Sequence, residues 1–99
     1  MPYLVIAHDH ENCGEIREKL RESHRDHLRS YGKKLLASGA ILDEKKNVIG
    51  GMSILDVDEY LEAKKFCDND PYSKHKIRKN IQIVKWRKRW WEGSFLGEE

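Results

Sequence analysis

The sequence predicts an α+β domain of the ferredoxin-like type, in which an antiparallel sheet carries two helices on one face. Apolar residues recur with strand-like or helical spacing in the order strand, helix, strand, strand, helix, strand. This βαββαβ order is the plan of the ferredoxin-like fold. The chain has 99 residues, enough for one domain, and 38% of them are hydrophobic and spread along its length. Pattern and length therefore predict the same fold class.

The composition excludes several classes of protein. The chain has 19 Lys and Arg against 17 Asp and Glu, for a net charge of +2. It contains no apolar run of the roughly 18–20 residues that a membrane-spanning helix needs, and its first residues do not resemble a secretory signal. Two cysteines, Cys13 and Cys67, are too few for a disulfide framework. We therefore expect reduced thiols, a cytoplasmic location and no contact with a membrane.

The first half of the chain is predicted to form a strand followed by a long helix. Residues 3–7 are apolar strand formers, and Asn12 is placed to cap a helix. Helical spacing of apolar residues then predicts a helix over residues 13–38, which Gly39 would end. Gly32 lies inside this predicted helix, where a glycine costs about 1 kcal/mol.

The second half supplies three strands and a second helix. Residues 40–42 and 48–55 are predicted to form strands. Gly50 and Gly51, within the second of these, predict a bulge or a close approach of two backbones. Asp56 is placed to cap a helix that Pro71 ends, since the residue before a proline favours extended backbone. Residues 81–86 form the last predicted strand.

The apolar residues on both sides of the last strand predict a partner subunit. Ile81 and Ile83 lie on one of its sides, and Val84 and Trp86 lie on the other. Because the helices can cover only one face of the sheet, the other face would expose an apolar patch larger than monomers usually carry. We therefore expect a homodimer formed through the open face of the sheet.

The apolar stripe of the first helix contains histidine. At about 100° per residue, His24 and His27 point in the same direction as the leucines of that helix. An imidazole there is either hydrogen-bonded within the core or opens into a pocket. Periodicity alone leaves both readings open.

A wider set of motifs resembles the YciI-like (YCII-related) family. The stretch Arg21-Glu-Ser-His24-Arg-Asp-His-Leu28 is similar to the family signature R-x-x-H-x-x-x-L. Gly50-Gly51-Met-Ser53, then Asp70-Pro71-Tyr72 and a closing Ile83-Val-Lys-Trp86, follow in the family's order. The resemblance covers nearly all of a domain at residues 1–87, followed by a basic, Trp-rich tail at residues 88–99. It implies a dimeric α/β barrel with a His–Asp pair in a cleft, which here would be His24 and Asp70.

The implied pair suggests acid–base chemistry. A carboxylate that accepts a hydrogen bond from one imidazole nitrogen leaves the other nitrogen free to move a proton. We expect an isomerisation or an elimination on a small cyclic or aromatic substrate, without a cofactor. Ser53 and Tyr72 are candidates to orient the substrate, and Arg21 and His27 are further candidates for binding it.

Three alternatives stay open. A non-catalytic small-molecule binder would carry the same residues. An RNA-binding module is suggested by the cations and tryptophans near the end of the chain, which are Lys85, Trp86, Arg87, Lys88, Arg89, Trp90 and Trp91. Residues 48–55 lack the aromatic pattern of an RNA-recognition strand, so nucleic acid is the less favoured partner. His24 and His27 could share a metal ion, but no third ligand accompanies them, so no metal site is predicted.

Overall fold

Four long strands form one antiparallel sheet in the computed structural model, which describes residues 2–97. They are β1 (Tyr3–Asp9), β2 (Leu35–Leu42), β3 (Val48–Leu55) and β4 (Arg78–Lys85). Their order across the sheet is β2-β3-β1-β4, with β1 paired to both β3 and β4. This is the ferredoxin-like strand order, so the predicted fold class is confirmed.

The helices pack on one face of this sheet. They are α1 (Gly14–Lys19), α2 (Arg21–Arg29), α3 (Tyr60–Asn69) and α4 (Pro71–Lys74). Alternate residues of β1 point toward them, and Tyr3 and Val5 are buried against Phe66 of α3, with Leu28 of α2 at the edge of the same core. None of the helices within residues 2–97 is long and apolar enough to span a membrane.

Two shorter helices, α1 and α2, occupy the place of the single long helix predicted over residues 13–38, and they end at Arg29. Asn12 has a positive φ of 60° and is not the cap; α1 begins after Cys13, and Leu20 separates α1 from α2. Helix α2 ends at Arg29, and Gly32, predicted inside the helix, has a φ of +53° that L-residues rarely adopt. Residues 35–39 belong to β2 because pairing with β3 outweighs their local helical spacing.

The boundaries in the second half differ less. Asp56 does not cap the second helix: its backbone N–H donates to Lys34 O at 2.7 Å, and Glu59 occupies the cap position without a side-chain hydrogen bond. The predicted end before Pro71 is confirmed, and Pro71 itself starts the short helix α4. Strand β4 begins at Arg78, three positions before its predicted start at residue 81.

The glycines of β3 allow a close approach of two strands, as predicted. A Cβ atom built on Gly50 would lie 2.1 Å from the backbone oxygen of Ala7 in the neighbouring strand. No side chain fits that space, since real Cβ contacts do not fall below about 3 Å. Glycine at position 50 therefore lets the pairing of β1 with β3 extend to His8, which lies opposite Gly50.

The open face of the sheet is apolar and partly exposed. Paired residues of neighbouring strands share a face, and Leu4 is opposite both Ile54 and Val84. Val84 is 47% exposed, and Met52 on the same face is also exposed. After β4, within the predicted tail, β5 (Trp90–Trp91) and β6 (Ser94–Phe95) form a short separate hairpin. The last two residues of that tail, 98 and 99, lie outside the described residues.

Candidate active site

A cavity of about 420 Å³ lies between the helix-covered face of the sheet and the helices. Its apolar wall includes Val5 and Ala7 of β1, Leu28 of α2 and Phe66 of α3. Its polar groups include His24, Ser38, Ser53, Asp70 and Arg78. A volume of this size with a few converging polar groups is typical of a small-molecule site.

His24 and Asp70 meet in this cavity. The Nδ1 atom of His24 lies 2.7 Å from Oδ1 of Asp70, and the side chains are 16% and 6% exposed. His24 lies on the side of α2 that faces the cavity, the direction that helical spacing predicts. Because Asp70 Oδ1 is within hydrogen-bonding distance of Nδ1, a proton on Nδ1 leaves the Nε2 lone pair available for proton transfer.

The backbone conformation that Pro71 imposes on Asp70 determines the direction of the Asp70 side chain. Asp70 ends α3 with extended backbone, φ −66° and ψ 125°, as expected before a proline. The same residue caps α4, because its Oδ1 accepts a hydrogen bond from the backbone N–H of Tyr72 at 3.0 Å. The junction between α3 and α4 therefore fixes the position of the carboxylate that contacts His24.

The environment of Asp70 favours its ionised form. Burial, the largest single influence, would raise the pKa of this carboxyl. The hydrogen bond and charge of His24, the Tyr72 N–H and the Arg78 guanidinium outweigh burial, so the pKa of Asp70 is lowered from its ordinary value. Asp70 is thus an acceptor-only carboxylate at neutral pH.

Tyr72 packs against His24 and does not line the cavity. The two rings stack with their centroids 4.0 Å apart and an angle of 10° between their planes. Tyr72 is 3% exposed, and its hydroxyl donates to the backbone oxygen of Arg17 at 3.3 Å. Its position suits it to hold the imidazole plane rather than to contact a ligand in the cavity.

A buried cluster of charged side chains, which was not predicted from the sequence, lies beside His24 and Asp70. Asp9 at the end of β1 accepts hydrogen bonds from Arg17 and, at 2.8 Å, from Arg78. Both guanidinium groups also lie over the ring of Tyr72, at 4.5 and 5.1 Å from its centroid. Arg17 and Arg78 line the cavity. The sequence signal for Arg78 was weak, because Arg78 is one of eight basic residues between Lys74 and Arg89.

The other predicted binding residues occupy three different environments. Ser53 lines the cavity, and its hydroxyl lies 2.9 Å from that of Ser38. His27 is half-buried, and its Nε2 is 2.8 Å from the backbone oxygen of Phe66, outside the cavity wall. Arg21 is exposed, pairs with Glu18 and borders a second groove, which is also lined by residues of β2 and β3. Only Ser53 of these three shares a cavity with the His–Asp pair.

Both thiols are free, and neither belongs to a metal cluster. Burial raises the pKa of the Cys67 thiol to about 11, so this cavity-lining group stays protonated at neutral pH. Within residues 2–97, no three His, Cys, Asp or Glu side chains come together as metal ligands could. The cavity therefore offers imidazole, carboxylate, guanidinium, hydroxyl and a protonated thiol.

Comparison with known proteins places this arrangement in a family. The sequence model of the YCII-related domain matches residues 1–87, which include every residue of the cavity described above. The chain belongs to the YCII-related domain family. No curated protein matches it in sequence.

A solved structure resembles this YCII-related domain closely in fold. It is 5-chloro-2-hydroxyhydroquinone dehydrochlorinase (TftG) from Burkholderia phenoliruptrix AC1100, in complex with 2,5-dihydroxybenzoquinone. The TM-score is 0.80, with 21% sequence identity over 88% of this chain and 94% of that chain. At this identity the likeness shows a shared fold, and the fold is one on which an enzyme has been built.

Proposed function

We propose that this YCII-related domain is an enzyme in which His24 transfers a proton and Asp70 orients it, on a small cyclic or aromatic substrate. The observation that carries the proposal is the 2.7 Å contact between His24 Nδ1 and Asp70 Oδ1 inside a ligand-sized cavity. Proton transfer by a positioned histidine contributes about 10²–10⁴-fold to the rate of such reactions.

The site supports proton abstraction coupled to isomerisation or elimination. Nε2 of His24 takes a proton from a carbon or hydroxyl of the substrate, and the electron pair released forms a new double bond. In an isomerisation, the imidazolium returns that proton to another atom of the substrate. In an elimination from an aromatic ring, a hydroxyl proton first moves to the carbon that bears the leaving group. The leaving group then departs with its bonding pair as His24 takes a second hydroxyl proton, which it later passes to solvent. Asp70 stabilises the imidazolium that forms, because its ionised carboxylate accepts from Nδ1–H.

The shape and polarity of the cavity support a small ring as the substrate. Leu28 and Phe66 provide apolar surface on one side, while Arg78 and the hydroxyl pair of Ser38 and Ser53 provide polar groups. The structural neighbour is named as a dehydrochlorinase of a chlorinated, hydroxylated ring. Removal of hydrogen chloride is an elimination, the reaction class that the dyad supports.

Turnover of 5-chloro-2-hydroxyhydroquinone tests the proposal. The purified protein, kept under anaerobic reducing conditions, is expected to release chloride from this compound, measured by ion chromatography. 2,5-Dihydroxybenzoquinone is expected to inhibit competitively because both rings would occupy the same cavity. If the protein binds 2,5-dihydroxybenzoquinone but releases no chloride above the rate without protein, the non-catalytic binder replaces this proposal.

We further propose that the protein is a homodimer through the open face of the sheet. The support is the exposed apolar surface there, with Val84 at 47% and Met52 at 37% exposure. Burying such a patch is favourable at about 25 cal/mol per Å². Analytical ultracentrifugation is expected to give the mass of two chains, and Val84→Glu is expected to give the mass of one. A wild-type mass of a single chain would contradict the dimer.

A further inference from the structure

Arg78 connects the two buried carboxylates of the site. Its Nη1 donates to Asp9 Oδ1 at 2.8 Å, and its Nη2 lies 3.5 Å from Asp70 Oδ2. The side chains of Asp9, Asp70 and Arg78 are 4%, 6% and 8% exposed. Asp70 therefore has one oxygen toward His24 and the other toward a guanidinium that Asp9 holds.

A β-bulge brings Arg78 to this position. Strands β1 and β4 pair His8 with Asn80 but Asp9 with Arg78, so Lys79 has no partner in the register. In an unbroken register Lys79 would lie opposite Asp9, and Arg78 would point to the other face of the sheet. Bulges of this kind often redirect a side chain beside an active site.

Gly51 leaves room for the guanidinium. A Cβ atom built on Gly51, in the neighbouring strand β3, would lie 3.3 Å from Arg78 Nη2. That distance is tighter than nine in ten real Cβ contacts. Glycine at this position thus lets Arg78 lie close against the sheet, where it reaches both carboxylates.

We propose that Arg78, anchored by Asp9, is a positioning residue that fixes which oxygen of Asp70 faces His24 and balances the charge of that carboxylate. This inference rests on the proposed function of the His24–Asp70 pair. A planar guanidinium can reach two carboxylates in fixed directions, which a lysine ammonium cannot do. Without Arg78, the Asp70 carboxylate would be held only through Oδ1, by His24 and the Tyr72 N–H, and Oδ2 would lose its contact with a positive charge.

Replacing Arg78 should shift the pH dependence of catalysis by His24 in one direction. The titratable and charged groups around His24 are Arg17 of α1, Arg25 of α2, Cys67 of α3, Asp70 and Tyr72 at the start of α4, Asp9 of β1 and Arg78 of β4. Without the positive charge of Arg78, the negative charge of Asp70 acts more strongly on His24 and favours the imidazolium form. Because His24 then stays protonated to a higher pH, it acts as a base only at a higher pH.

Three variants test the inference through the pH profile of kcat/KM for chloride release. Arg78→Gln is expected to move the acid limb upward by about one pH unit, the size of effect that a neighbouring charge has. Arg78→Lys keeps the charge, so its limb should stay in place while kcat falls at least about tenfold through lost orientation. Lys79→Gln removes the same charge from the exposed bulge position and should change neither quantity.

A second readout does not depend on turnover. In proton NMR spectra, the Nδ1–H of His24 is identified by its loss in His24→Gln, and its exchange with water is measured. The exchange rate should rise about tenfold in Arg78→Gln, as expected when a charge-assisted contact to the acceptor is lost. Lys79→Gln should leave the rate unchanged.

The two readouts separate the possible failures. If the wild-type protein releases no chloride but the exchange rates differ as expected, the proposed function fails and the positioning role stands. If Arg78→Gln, folded by circular dichroism, matches Lys79→Gln in both readouts, the positioning role is wrong. Should Arg78→Gln fail to fold, Arg78→Lys decides the question, since a wild-type kcat and exchange rate in that variant would overturn it.

Discussion

Replacing His24 by Gln is expected to lower kcat by about 10²–10⁴-fold, the contribution of a positioned general base. Gln keeps a polar side chain of similar reach, so the cavity retains its shape. The affinity for 2,5-dihydroxybenzoquinone should change only a few-fold, because the other walls remain intact. Turnover and binding should therefore separate in this variant, as measured by chloride release and isothermal titration calorimetry.

His75→Gln is the matched control for that experiment. His75 is exposed after α4 and lies outside the cavity wall, so the same substitution there should leave kcat unchanged. A His24→Gln protein that keeps its wild-type kcat would show that another group moves the proton. Loss of both binding and turnover would instead show that His24 holds the ligand.

Replacing Asp9 by Ala is expected to destabilise the protein by about 3–5 kcal/mol, the usual cost of removing one partner of a buried ion pair. Asp9 is the shared acceptor of Arg17 and Arg78, and its side chain is 4% exposed. Its removal leaves two guanidinium groups beside Tyr72 with less negative charge to balance them. Urea unfolding followed by circular dichroism measures the free energy of unfolding.

Asp26→Ala provides the comparison for the stability experiment. Asp26 pairs with Arg29 on the exposed side of α2, with both side chains more than half exposed. Because water screens such pairs, the free energy of unfolding should hardly change. If Asp9→Ala were as stable as Asp26→Ala, the buried cluster would not contribute to the stability of the fold.

Much of the fold was predictable because the order of elements depends on local patterns. Apolar strand formers marked β1 and β3, and Pro71 marked the end of α3. The predicted 26-residue helix was wrong because Leu35 continues the helical spacing in sequence but pairs with Leu55 of β3 in space. Only the tertiary partner distinguishes these two states of residues 35–39.

The site was predictable in part, for a similar reason. The inward direction of His24 followed from helix geometry, and Asp70 came from the resemblance to the family. Arg78 was not predictable, because its direction depends on a bulge in the register between β1 and β4. Single-residue shifts of this kind reverse the face of a side chain and leave no local trace in sequence.

The most direct test of the central claim is a crystal structure with 2,5-dihydroxybenzoquinone bound. We expect the ring in the cavity between the sheet and the helices, with one of its oxygens within hydrogen-bonding distance of His24 Nε2. The Nδ1 atom of His24 should keep its contact with Asp70. A ring bound in the groove beside Arg21, or on the open face of the sheet, with no contact to His24, would contradict it.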